Sequence, residues 1–239
     1  MTENEKPVKV IITGAGRGIG KGIATFLARE GFELGLIART KNDLDLVKLS
    51  VQAMGGNCLT VPCDIRNQVN TEAAINHLVE KMEGVDALIN NAGLVIRKDV
   101  FELSLEEWQT MMETNVNGVF FATRAVLPHM KEQGSGHIIN ISSISGRLPL
   151  AGGSGYAASK YAVTGFSESL FFEVRDHGIK VTTIFPGSVD TDSHRHDSDE
   201  DHTWKVQPEE VGQACRDILL TSPANCISRM EIRPLRKPK

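Results

Sequence analysis

Short apolar, β-branched runs alternate with longer stretches of helical periodicity through the whole chain. Val8–Thr13 (VKVIIT) reads as a buried strand, and the following KGIATFLAREG as a helix that closes at Gly31. Further strands are predicted at Phe32–Ala38, Asn57–Pro62, Val85–Asn90, Gly136–Ile141, Ile179–Phe185 and Arg229–Arg233. Between them, helical spacing runs from about Asp43 to Met54, Asn67 to Met82 and Ser104 to Lys131. It resumes through Tyr156 and Lys160 to about Asp176, and from Pro208 to about Leu220. Ser104 and Glu107 have the spacing of a capping box. This alternation predicts an α/β fold: a doubly wound, mostly parallel sheet of about seven strands with helices on both faces. No linker, repeat or low-complexity tract interrupts it, so residues 1–239 are expected to form one domain.

Composition narrows the function classes. With 41% hydrophobic and 23% charged residues, the 239-residue chain reads as an ordinary water-soluble protein with a sizeable core. A net charge of −4 gives no reason to expect nucleic acid or an anionic membrane as partner. No apolar run is long enough to span a bilayer, and the charged start MTENEKPVKV lacks the apolar core of a signal peptide. Cys58, Cys63, Cys215 and Cys226 show no Cys-x-x-Cys spacing. Free thiols in a cytoplasmic setting are therefore expected.

Candidate chemistry gathers where strands end. The first strand runs into Gly14-Ala15-Gly16-Arg17-Gly18-Ile19-Gly20 and then a helix, the context a dinucleotide-binding turn requires. Glycines admit a diphosphate close to the backbone, and the helix N-terminus offers free N–H groups. A tight structural turn is the alternative reading. The second strand ends in Ala38, followed by Arg39 and Thr40. An acid there would bind a ribose 2′-hydroxyl; two cations (Arg17, Arg39) and no carboxylate favour NADP(H) over NAD(H). A solvated Arg39 is the plainer alternative. Asp64, after the third strand, is placed either to accept from an adenine amino group or to cap the next helix. The fourth strand ends in Asn90-Asn91-Ala92-Gly93, small residues suited to a flat ligand.

Tyr156 and Lys160 stand at i and i+4 and so share a helix face. An ammonium beside a phenol favours the phenolate, which would let Tyr156 exchange a proton near neutral pH. The plainer reading is a packed tyrosine beside a snorkelling lysine. Ser143, thirteen residues earlier at the end of a strand, offers a hydroxyl to a carbonyl oxygen beside the phenol. Asn115 lies inside a predicted helix, where a buried amide needs partners. It holds a water, disturbs the helix to bind a carbonyl, or makes an ordinary core hydrogen bond.

Asp192–Asp201 (DSHRHDSDED), with His194, His196 and His202, invites a metal reading. Its acidity and lack of fixed spacing favour a solvated mobile loop, placed after the sixth strand as a candidate lid over substrate. No metal is expected.

Taken together, Thr13–Gly20, Asn90–Gly93, Asn115, Ser143, Tyr156, Lys160, Pro186-Gly187 and Thr191 resemble the short-chain dehydrogenase/reductase family over nearly the whole chain. The resemblance implies a Rossmann-type fold and an NADP-dependent reductase of a small carbonyl compound. In it Tyr156 is the proton donor, and Lys160 lowers the Tyr156 pKa and binds the nicotinamide ribose. Ser143 polarises the carbonyl and Asn115 holds a relay water. It further implies that Gly14, Arg17, Gly18, Ile19 and Gly20 cradle phosphates, with Arg39 and Thr40 near a 2′-phosphate. Asp64 and Ile65 would border the adenine, and Asn91, Ala92 and Gly93 the adenosine. Pro186, Gly187, Val189 and Thr191 would position the nicotinamide. The ending Met230-Glu231-Ile232-Arg233-Pro234 is more like small carbonyl reductases of the sepiapterin-reductase kind than 3-oxoacyl-acyl-carrier-protein reductases, which stay as an alternative. A non-catalytic cofactor sensor or scaffold is the alternative of another class. Family likeness also implies a homodimer or homotetramer through the helices bearing Asn115 and Tyr156.

Overall fold

The computed structural model describes residues 7–191 and 202–236. Seven strands form one sheet: β1 (Lys9–Thr13), β2 (Glu33–Ala38), β3 (Cys58–Pro62), β4 (Ala87–Asn90), β5 (Gly136–Ile141), β6 (Ile179–Pro186) and β7 (Arg229–Ile232). Their order is β3-β2-β1-β4-β5-β6-β7, and every pairing is parallel. The expected "mostly parallel" sheet of about seven strands is thus wholly parallel, because each connection crosses over through a helix or long segment.

Among the described residues, seven α-helices cover it: α1 (Gly18–Arg29), α2 (Lys41–Ala53), α3 (Gln68–Met82), α4 (Leu105–Met112), α5 (Gly118–Gln133), α6 (Ser154–Val174) and α7 (Pro208–Leu219). Side chains alternate across each strand, so the two faces are separate cores. Val10, Ile12, Leu34, Leu36, Ile89 and Ile139 pack against Ile23 and Leu27 of α1, Leu44 and Val47 of α2, and Val211 of α7. Ile11, Ile37, Leu88, Ile138 and Val181 pack against Leu78 of α3, Val126 of α5 and Leu170 of α6. All of these are at most 4% exposed, which explains why the strands read as unbroken apolar runs.

Two boundaries differ from expectation for physical reasons. The stretch from Ser104 to Lys131 is not one helix. Ser104 does cap α4 in a capping box with Glu107, but a π-helical turn over Glu113–Asn117 separates α4 from α5. The cap of α3 is Asn67, whose side chain accepts from the Asn70 N–H at 2.9 Å. Asp64 does not cap it, because its carboxylate is taken up by Arg66.

The sheet order reverses direction at β1 and β4, where the next strand in sequence lies on opposite sides. Beside this seam, buried polar side chains join β4 to β5 and to helices α5 and α6. Asn90 Nδ2 donates to Thr123 Oγ1 (3.0 Å) and Asn140 Oδ1 (2.9 Å), and Asn140 Nδ2 donates to Ser167 Oγ (2.8 Å). No helix among the described residues is long and apolar enough to cross a membrane.

Candidate active site

Beyond the carboxyl ends of β1 and β4 the chain leaves a cleft of about 550 Å³. Close approach of two turns builds its floor. Gly14 has φ +67°, and a Cβ there would lie 2.6 Å from the Ala92 Cα, so a side chain would force the β1 and β4 turns apart. Asn91 Nδ2 donates to the Thr13 and Gly14 carbonyls, both at 3.1 Å. Thr13 Oγ1 accepts from the Asn91 and Ala92 N–H groups at 3.1 and 3.2 Å. Gly18 and Ile19, the first residues of α1, line the cleft, and no side chain caps that helix. Its uncapped N–H groups and positive dipole end border the cavity, as a phosphate would require.

Ala38, Arg39 and Thr40 line the far end together with Arg17, Asp64 and Ile65, as the sequence expects. Two charged residues that the sequence motifs do not single out join them, Asp43 and Arg66. Asp43 is in the first turn of α2 and approaches Gly16. Arg66 grips Asp64 with Nε on Oδ1 (3.0 Å) and Oδ2 (3.1 Å), Nη2 on Oδ2 (2.6 Å), and its own backbone N–H on Oδ1 (3.1 Å). These bonds hold the Asp64 carboxyl below the usual carboxylate range. The end of β2 carries no carboxylate, as the sequence expects, but two acids stand elsewhere on the cavity wall. Three guanidiniums (Arg17, Arg39, Arg66) face two carboxylates (Asp43, Asp64), and one carboxylate is already bound. No sequence spacing distinguishes Asp43 from a solvated helix-start acid, so it left no signal.

At the other end stand Tyr156 and Lys160, both buried, on the first turns of α6. Burial pushes the Tyr156 phenol up from its ordinary value; hydrogen bonding with Ser143 and the positive charge of Arg97 pull it back down. The Lys160 ammonium donates to the Ile141 carbonyl at 2.9 Å and lies 5.9 Å from the tyrosine ring centre. Burial lowers its own pKa to about 8. Ser143 begins a short 3₁₀ turn, its Oγ accepting from the Ser145 N–H at 3.1 Å.

Several expected residues support the cleft without lining it. Asn115 is fully buried in the π-helical turn. Its Oδ1 accepts from the Leu94 N–H (2.7 Å), and its Nδ2 donates to the Leu94 carbonyl (2.9 Å) and to Ser159 Oγ (2.9 Å). The Asn115 amide thus sits in a disturbed helix and binds the Leu94 carbonyl, and it also makes a buried hydrogen bond to Ser159. Gly20 is buried, with the Gly14 carbonyl and Asn91 amide packed against its Cα. Pro186 ends β6, Gly187 donates its N–H to the Ile232 carbonyl (2.7 Å), and Val189 bridges to Val206. None of these three lines the cleft, because backbone pairing commits them to the C-terminal segment; Thr191 does line it. Residues 192–201, with the acidic segment and two of its histidines, fall outside the described residues. His202 lies 3.2 Å from Asp190.

The family model for short chain dehydrogenases matches residues 8–202. The chain belongs to the short-chain dehydrogenase/reductase family. It is an oxidoreductase. An uncharacterized oxidoreductase of Staphylococcus aureus is 34% identical over 226 residues, covering 94% of this chain and 96% of that protein. A 3-oxoacyl-[acyl-carrier-protein] reductase of Synechocystis is 34% identical over 221 residues, 90% and 89% of the two chains. Among solved structures, an alcohol dehydrogenase of Thermococcus sibiricus, complexed with 5-hydroxy-NADP, aligns with TM-score 0.90 at 28% identity over 98% of this chain and all of that one.

Proposed function

We propose that this enzyme is an NADP(H)-dependent reductase of a small carbonyl compound, with Tyr156 as the proton donor and the whole chain acting as one domain. The observation that carries the reading is one cavity bordered by both an uncapped helix N-terminus and a buried Tyr156–Lys160 pair. The residues present fit a dinucleotide. Gly14 leaves room for close backbone approach, and no carboxylate occupies the end of β2. The NADP-type ligand of the Thermococcus neighbour supports the same choice.

In this reading Gly14, Arg17, Gly18 and Ile19 hold the phosphates, and Gly20 keeps the turn tight. Arg39 and Thr40 face the 2′-phosphate; Asp64, Ile65, Asn91, Ala92 and Gly93 flank the adenosine. Lys160 holds the nicotinamide ribose, Thr191 meets the nicotinamide, and Pro186, Gly187 and Val189 set the strand end from which Thr191 projects. The bound cofactor supplies the hydride. Ser143 donates a hydrogen bond to the substrate carbonyl oxygen, and Tyr156 gives that oxygen its proton. Burial of the phenol keeps it protonated until the carbonyl needs it. Asn115 anchors the Leu94 segment that walls the cleft.

Likeness to the Synechocystis enzyme favours a second reading, a 3-oxoacyl-thioester reductase. Exposed Phe120 on α5 and Tyr161 and Phe172 on α6 support association of copies through those helices. The proposed setting is the cytoplasm, consistent with four free cysteines.

The test is NADPH consumption against ketones, diketones, pterins and an acetoacetyl thioester, with NADH run beside it. Turnover of a small ketone or pterin with NADPH preferred supports the leading reading. Thioester turnover far above the rest transfers support to the second, and strict use of NADH overturns the cofactor assignment.

A further inference from the structure

Helix α6 carries both Tyr156 and Lys160, so its register against the cleft floor fixes where the phenol stands. Two buried serines tie this helix to its surroundings. Ser159 is 0% exposed. Its Oγ donates to the Tyr156 carbonyl at 2.8 Å and accepts from Asn115 Nδ2 at 2.9 Å. Ser167, two turns on, repeats the arrangement, donating to the Val163 carbonyl (2.6 Å) and accepting from Asn140 Nδ2 (2.8 Å). A serine back-bonded to its own helix is common; a second bond from an asparagine on another element is what turns it into a tether.

The two tethers end in different places. From Ser167 the bonds lead through Asn140 to Asn90, deep in the sheet. From Ser159 they lead through Asn115 to both backbone groups of Leu94, which lines the cleft. The Tyr156 carbonyl that receives the Ser159 hydroxyl is also the ordinary helical acceptor for the Lys160 N–H. Bonds from one hydroxyl therefore join the cofactor-side wall to the peptide shared by the phenol and the ammonium. All donors of the Asn115 amide are used in the chain, so removing the serine leaves a buried N–H without its acceptor.

We infer that Ser159 is a positioning residue for proton transfer, setting the Tyr156 phenol against the cleft through Asn115 and Leu94. The inference rests on Tyr156 being the proton donor. Loss of the tether frees the first turns of α6 to shift against the wall, and sub-ångström displacement of a reacting group is costly in rate.

The experiment compares Ser159→Ala, Ser159→Cys, Ser167→Ala and Tyr156→Phe on the best carbonyl found. Readouts are kcat, KM, the NADPH Kd, the pH profile of alcohol oxidation and the thermal midpoint. Cysteine fills the space of the serine with a weaker donor, so a loss in both Ser159 variants reports bonding rather than a void. Ser159→Ala should lower kcat roughly tenfold to a hundredfold with NADPH Kd within about twofold. Its oxidation profile should move to higher pH, because the phenol leaves the Ser143 and Arg97 groups that pull its pKa down. Ser167→Ala should lower the thermal midpoint as much, yet keep kcat and the profile close to the parent enzyme. If Ser159→Ala and Ser159→Cys behave like Ser167→Ala while Tyr156→Phe is inactive, the positioning role is wrong and the proton-donor reading stands. If Tyr156→Phe keeps full turnover, that reading falls and takes the inference with it.

Discussion

Lys160 and Tyr156 lie one turn apart on α6, yet the ammonium bonds the Ile141 carbonyl at 2.9 Å and stands 5.9 Å from the phenol ring centre. Its burial, with no carboxylate bonded to it among the described residues, lowers its pKa to about 8. The ammonium is therefore present below about pH 8 and is lost above it. If Lys160 holds the nicotinamide ribose, NADPH affinity should weaken as pH rises through 8. In Lys160→Arg, whose guanidinium keeps its charge, that pH dependence should vanish whatever the absolute affinity. Fluorescence titration of NADPH from pH 7 to 10 measures both.

Arg97 acts on the phenol from the loop after β4. Its charge lowers the Tyr156 pKa against the upward push of burial. Arg97→Gln should then raise that pKa, and the phenolate-dependent limb of alcohol oxidation should move to higher pH. A pH–rate profile of kcat/KM for the two proteins checks the direction.

Cofactor choice should depend on opposing charges at one end of the cleft. Arg39→Ala should weaken NADPH about tenfold or more and leave NADH within about twofold, because only NADPH carries the 2′-phosphate. Asp43→Asn should act the other way, tightening NADPH severalfold by removing a carboxylate from the same cavity wall. Paired Kd measurements for both nucleotides decide it.

His137, buried at the start of β5, makes stability pH-dependent. Its Nε2 bonds Thr182 Oγ1 at 2.7 Å, and that hydroxyl donates to the Ile227 carbonyl (2.7 Å), so the ring is the donor of the pair. Burial and, second, Lys180 lower its pKa from 6.5 to about 4. The neutral ring is favoured in the folded protein, so its contribution is intact above about pH 6.5 and is lost as pH falls towards 4. From pH 7 to 5 this group alone removes roughly 2 kcal/mol. Urea unfolding at the two pH values should show that loss in the natural protein and much less of it in His137→Gln.

Sequence pattern located the sheet because its strands are buried on both faces and therefore read as apolar runs such as VKVIIT and GHIINI. The glycine turn was readable because Gly14 answers a backbone need that no other residue meets. What sequence left hidden depends on side chains meeting from distant segments. The π-helical turn at Asn115 arises from bonds to Leu94, twenty-one residues earlier, and helical periodicity runs through it unbroken. Ser159 sits inside the Tyr156–Lys160 motif but shows its second partner only in three dimensions. Arg66 is two residues from Asp64, yet nothing in one dimension says that its guanidinium folds back. Lys160 shares a helix face with Tyr156 as its spacing implies, while its bond to a strand carbonyl nineteen residues away shows only in three dimensions.

The central claim is that the Tyr156 phenol delivers the proton while hydride arrives at the same carbonyl. It is tested most directly by kcat of Tyr156→Phe at saturating NADPH and carbonyl substrate, with NADPH Kd measured on the same preparation. Removing only the hydroxyl should lower kcat roughly a hundredfold to ten-thousandfold and leave Kd within about threefold. Turnover equal to that of the unmodified enzyme would contradict the account.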